Sequence, residues 1–73
     1  MARIEAKSEV MGVVATVEGK VGERIDAGGT IMFIESMKMQ IPILLDDAAT
    51  LRQVLVKEGD TVSEGQVVAV LET

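Results

Sequence analysis

An internal repeat constrains this chain more than any other feature, because sliding the 73-residue sequence against itself uncovers a match at a single offset of 37 residues. Gly22, Ile25, Gly28, Ile31, Ile34, Glu35 and Ser36 fall on Gly59, Val62, Gly65, Val68, Leu71, Glu72 and Thr73 without a slip of register. Upstream, Val14 and Val17 meet Leu51 and Val54, while Ile4 and Ala6 meet Ile41 and Ile43. A chain this short builds one core and buries only about 60% of its unfolded surface. Neither half covers its own apolar face, so the two must bury those faces against each other around a pseudo-two-fold axis.

Glycines at 12, 19, 22, 28, 29, 59 and 65 bound short Val- and Ile-rich segments such as Gly12–Val17 and Gln66–Leu71, a pattern of strands and turns rather than helices. Strands are expected near residues 2–7, 12–17, 24–26, 30–36, 39–45, 50–56, 61–63 and 67–72. The fold class is therefore all-β: eight short strands imply two sheets in a pseudo-two-fold sandwich or flattened barrel, with residues 1–73 as a single domain of two quasi-repeats, about 1–37 and 38–73. Pro42 lacks an N–H and belongs on an edge or an outward-facing position. Gly22, Gly28, Gly59 and Gly65 read as backbone requirements of the repeated turns. Ala49, the counterpart of Gly12, lacks that glycine, so the turn before it is expected to differ from its mate.

Under the same offset Met1 falls on Lys38. The loop joining the halves is then the counterpart of the place where the chain ends meet, with Lys38 at one pole and the ends at the other.

Function classes fall away on composition. Without cysteine or histidine there are no disulfides, no thiolate or imidazole metal sites, and no Ser-His-Asp or Cys-His nucleophile, so the chain is not expected to be an enzyme by itself. Twelve acidic against seven basic residues (formal charge −5) and the single aromatic Phe33 oppose nucleic-acid binding. The acidic residues Asp26, Asp46, Asp47, Glu58, Asp60 and Glu64 match no calcium loop and read as a solvated face. No segment has the length or layout of a membrane span or signal peptide, so a cytoplasmic, monomeric domain with no membrane partner is expected.

Lys38 is the only basic residue between Arg24 and Arg52, in the run Ile34-Glu35-Ser36-Met37-Lys38-Met39-Gln40-Ile41. Spacing alone fits a solvated hairpin lysine with two gap-filling methionines as well as it fits a functional amine. Glu35-Ser36-Met37-Lys38-Met39 nevertheless resembles the Ala/Ser-Met-Lys-Met signature of biotinyl domains of the biotin carboxyl carrier protein family. The likeness extends through Glu9-Val-Met-Gly12, Val21–Gly28 and Glu58–Gly65, nearly the full chain.

The resemblance implies a flattened barrel of two four-stranded antiparallel sheets with the lysine on a hairpin tip, and that Lys38 forms an amide with the valeryl carboxyl of biotin. It also implies that Met37 and Met39 are recognised by the biotin protein ligase, and that a biotin carboxylase and a carboxyltransferase exchange carboxylate through the carrier. A carboxylase acting on acetyl-CoA or another acyl-CoA, and hence fatty acid biosynthesis, is the default host. No insertion corresponds to the protruding thumb of some bacterial carriers. The nearest alternative, a lipoyl domain of an oxoacid dehydrogenase complex, usually flanks its lysine with Asp and Ala, where this chain has methionine on both sides. An unmodified adaptor module is the other alternative, and it leaves the Met37-Lys38-Met39 tip unexplained. Glu35 and Ser36 read as solvated surface at the end of a strand.

Overall fold

A computed structural model describes residues 2–73; Met1, the repeat counterpart of Lys38, lies outside the described residues. Eight strands follow the glycine punctuation: β1 (Arg3–Lys7), β2 (Gly12–Val17), β3 (Arg24–Ile25), β4 (Thr30–Ser36), β5 (Met39–Leu44), β6 (Ala49–Val54), β7 (Thr61–Val62) and β8 (Val67–Glu72). They form two four-stranded antiparallel sheets, ordered β1-β8-β6-β3 and β5-β4-β2-β7, with no helix among the described residues.

The repeat is written into the register. Ala6 pairs with Ala69 and Lys7 with Val67 across a bulge; at the equivalent place Ile43 pairs with Met32 and Leu44 with Thr30 across another. The irregularity between Val14 and Thr16 likewise recurs between Leu51 and Gln53. Each sheet mixes strands from both halves, and the short strand of each half pairs into the other half's sheet, β3 on β6 and β7 on β2. The turns cross over too: the Gly22 N–H donates to Leu51 O at 2.7 Å, and the Gly59 N–H donates to Val14 O at 2.9 Å. Gly22, Gly28, Gly59 and Gly65 have φ of 93°, 81°, 92° and 83°, backbone that L side chains adopt only with strain. Sequence symmetry thus becomes interlocking, and half a chain would lack partners for its own backbone.

Between the sheets the core is built from symmetry mates. Ile31 and Val68, Ile34 and Leu71, and Val14 and Leu51 are all essentially inaccessible to water. Each such side chain contributes about 1.5–3 kcal/mol by leaving water. The central strands β4 and β8 carry the densest burial, with Val68 to Leu71 buried in succession. Pro42 lies on β5, an edge strand, as its missing N–H demands.

Two expectations need correction. The strand expected at 50–56 is Ala49–Val54, the exact-length mate of Gly12–Val17; Leu55 and Val56 leave the sheet, although the Leu55 N–H still donates to Val68 O at 2.9 Å. The turn before Ala49 does not differ from its mate: both halves show a two-residue bend and enter the strand at the equivalent position. Ala49 is fully buried with room for its methyl, so no glycine is needed there. What differs is the side chain where the turn begins. Ser8 is buried and donates its hydroxyl to Val10 O at 2.6 Å, whereas its counterpart Leu45 simply packs into the core.

The poles follow from the course of the edge strands. β1 leaves the chain ends, where Arg3 pairs with Glu72, and β5 leaves the Lys38 tip, where Met39 pairs with Ser36. Both run inward to a shared groove of about 420 Å³ at the waist, lined by Ala6 and Lys7 from one and Ile43 and Leu44 from the other. Tip and ends therefore lie on opposite sides of the pseudo-two-fold axis of a body measuring 36 × 18 × 18 Å.

Candidate functional site

Ser36 and Met39 are directly paired, leaving Met37 and Lys38 as the two-residue turn of the β4–β5 hairpin. Their φ values of 53° and 66° define a type I′ turn, whose twist matches that of the flanking strands. Such turns usually employ Asn-Gly. Here they are the only non-glycine residues of positive φ among the described residues. Left-handed backbone at a side chain without local compensation costs on the order of 1–3 kcal/mol, and such strain concentrates at functional positions.

The consequence is projection. Met37 is 93% exposed and Met39 64% exposed, and Lys38 is exposed between them. These methionines therefore do not fill gaps at the end of the sandwich. Among the described residues the ion pairs are Arg3 with Glu5 and Arg52 with Glu72, so the Lys38 amine engages no carboxylate. It is a free primary amine at a fixed starting point, open to approach from outside.

Gly12 holds the tip's base close. A Cβ there would fall onto the carbonyl oxygen of Glu35 and come within 2.8 Å of Ile34 Cγ2, so β2 approaches β4 at a distance only glycine allows. Val13 pairs with Glu35, and continuing that antiparallel register brings Met11 level with Met37. Met11 is 69% exposed and immediately precedes β2 at the end of that strand nearest the tip. Sequence reasoning missed this residue because nothing in its flanks marks it; extending the β2–β4 register from the Glu35 pairing would have found it.

Glu35 is exposed and Ser36 half-buried, and neither side chain hydrogen-bonds to another of the described residues. The counterpart of Glu35, Glu72, accepts from Arg52 Nε at 2.6 Å, while Ala15 stands where a mate of Arg52 would be. Of Asp26, Asp46, Asp47, Glu58, Asp60 and Glu64, all are exposed except the half-buried Asp60, whose carboxylate accepts the Lys57 N–H at 2.9 Å. No group of three or more metal-ligating side chains occurs among the described residues, and no helix is long and apolar enough to cross a membrane.

Comparison with known proteins places this geometry. The chain is 41% identical over 59 residues to a biotin/lipoyl attachment protein of Bacillus subtilis, covering 81% of each chain. It is 33% identical over 67 residues to the biotinylated protein TB7.3 homolog of Mycobacterium leprae, covering 92% of this chain and 94% of the other. A third relative, 35% identical over 66 residues, is the dihydrolipoyllysine-residue succinyltransferase component of a 2-oxoglutarate dehydrogenase complex from Staphylococcus saprophyticus, of which this chain spans 16%. The crystal structure of Kluyveromyces lactis urea carboxylase superposes with a TM-score of 0.91 at 28% identity over 97% of this chain and 6% of the enzyme. The family model described as "Biotin-requiring enzyme" matches residues 3–71, so this chain belongs to the biotin/lipoyl attachment domain family.

Proposed function

We propose that residues 1–73 act as one biotin carboxyl carrier domain, biotinylated on Lys38, within a cytoplasmic biotin-dependent carboxylase. The observation that carries this reading is the Met37-Lys38-Met39 tip: an unpaired amine between two exposed methionines on a left-handed turn. Biotin is the cofactor that fits. Its linkage needs a primary amine that a ligase can surround, and Lys38 is exposed. In the attachment step Lys38 Nζ, as the free base, attacks an activated acyl-adenylate; an amide forms, adenylate leaves, and the proton goes to a base on the ligase.

Met37 and Met39 offer the ligase apolar, adaptable contacts on either side of that amine. Once attached, biotin supplies a ureido nitrogen able to hold a carboxylate. The chain's part is mechanical: the hairpin fixes where the arm begins, and the lysine stem gives it reach. Tethering then presents the cargo to a biotin carboxylase and a carboxyltransferase at an effective concentration set by linkage rather than bulk diffusion. An acyl-CoA carboxylase, acetyl-CoA carboxylase foremost, is the host we favour. No group in the chain is asked to catalyse the transfer.

Similarity to the succinyltransferase component supports a second reading, lipoylation of the same lysine. The deciding measurement is the intact mass and modified site of the chain expressed in cells supplied with both biotin and lipoate, compared with Lys38→Ala. A biotinyl increment on Lys38, absent from the variant, is expected. A lipoyl increment would transfer the protein to the oxoacid dehydrogenases, and no increment would overturn both carrier readings.

A further inference from the structure

The carrier reading uses the two methionines beside Lys38 as contacts, but their chemistry goes further. The chain contains no Cys, Trp, Tyr or His, so thioethers are its readily oxidised groups. They are distributed unevenly. Met11, Met37 and Met39 are 69%, 93% and 64% exposed and gather at one pole by register, whereas Met32 is completely buried in β4. Thioether oxidation follows exposure, so the tip should react first and the core not at all.

We propose that the tip is a reversible oxidation site in which sulfoxidation of Met11, Met37 and Met39 blocks recognition of Lys38; this rests on the reading that Lys38 is the biotinylated residue. Each thioether takes one oxygen atom from a hydroperoxide, which leaves as water or an alcohol; sulfur is oxidised to the sulfoxide and the peroxide O–O bond is broken. Return requires two thiols, which are oxidised to a disulfide as the sulfoxide oxygen departs in water. The fold is indifferent to the change, since side chains this exposed contribute little packing. A partner is not indifferent. A flexible apolar contact becomes a strongly polar one that must be stripped of water at the interface.

The test begins with the purified full chain in its unmodified form, treated with dilute hydrogen peroxide and mapped by peptide mass. One added oxygen on each of Met11, Met37 and Met39 is expected, none on Met32, with an unchanged thermal melt. Biotinylation by a biotin protein ligase with biotin and ATP should then slow roughly tenfold or more, the loss expected when burial of about one methionine side chain is forfeited. Methionine sulfoxide reductases A and B with a dithiol should restore the rate. Unchanged biotinylation of the oxidised chain overturns the proposal while leaving the carrier reading intact. Oxidation of Met32 alongside the others, or a lost rate that reductases do not restore, overturns it as well. An untreated chain that takes up no biotin on Lys38 overturns the carrier reading, and this proposal with it.

Discussion

At one pole Ser36 pairs with Met39, and the two residues between them turn through left-handed backbone. At the other, the equivalent Thr73 donates its N–H to Ala2 O at 3.0 Å, and the chain is open. The register is common to both; the turn is not. A hairpin end in this fold therefore holds together with or without a covalent tip, which frees the residues of the closed tip from structural duty. The strain at Met37 and Lys38 sits where the sheet beneath is already pinned by the close approach of Gly12 to Glu35.

Exchanging the poles breaks the comparison most severely. A circular permutant opened between Met37 and Lys38, with Thr73 joined to Ala2 through Asn-Gly in place of Met1, should fold with a cooperative melt and lose biotinylation altogether. Mass spectrometry and circular dichroism read the two outcomes separately. Loss of the fold would mean that the closed tip is structural after all.

The next largest effect lies in the paired positions Gly12 and Ala49. Gly12→Ala should destabilise by about 2–3 kcal/mol, because the new methyl meets the backbone of β4 and the strand must shift. Ala49→Gly, at the equivalent site, should cost only about 1 kcal/mol. Urea denaturation of the two variants measures the contrast, and equal losses would show that the halves are closer in packing than their contacts suggest.

Relaxing the turn acts in the opposite direction. Met37→Asn places a residue that tolerates left-handed backbone at the first turn position and should stabilise the chain by about 1 kcal/mol, raising Tm by roughly 4–8 °C. The rate of biotinylation should fall, since the thioether is gone. A variant neither more stable nor slower would remove strain from the account of this tip.

The smallest effect concerns the ion pair found at one pole only. Arg52→Gln removes the 2.6 Å bond to Glu72 between side chains that are 52% and 34% exposed. It should cost less than about 1 kcal/mol and cost less still at high salt. A larger loss in thermal melts would show the pole of the chain ends to be tied down more firmly than the tip.

Most of the fold was legible because the repeat supplied each strand twice, so that Gly12–Val17 and Ala49–Val54 corroborate one another. The error at 50–56 came from reading Leu55 and Val56 by hydropathy when the repeat already ended the strand at Val54. Ala49 misled in the opposite sense. A missing glycine signals altered backbone only where φ is positive, and the demand at Gly12 is instead steric, set by a neighbouring strand that no local pattern reveals. At the candidate site, Lys38 was visible through its isolation and its flanks, but the left-handed turn was not, since neither Met37 nor Lys38 belongs to the residues that announce one. Burial decided the rest. Met32 and Met37 are the same residue type five positions apart, and only the assembled sheets make one core and the other surface.

The placement of the poles has a kinematic consequence. With the chain ends and Lys38 at opposite poles of a body 36 Å in its longest dimension, the domain has the geometry of a lever arm. On the proposed carrier reading, rotation of the domain about a segment joined at its chain ends displaces the amine sideways by a distance set by that length, and the lysine stem adds the final approach.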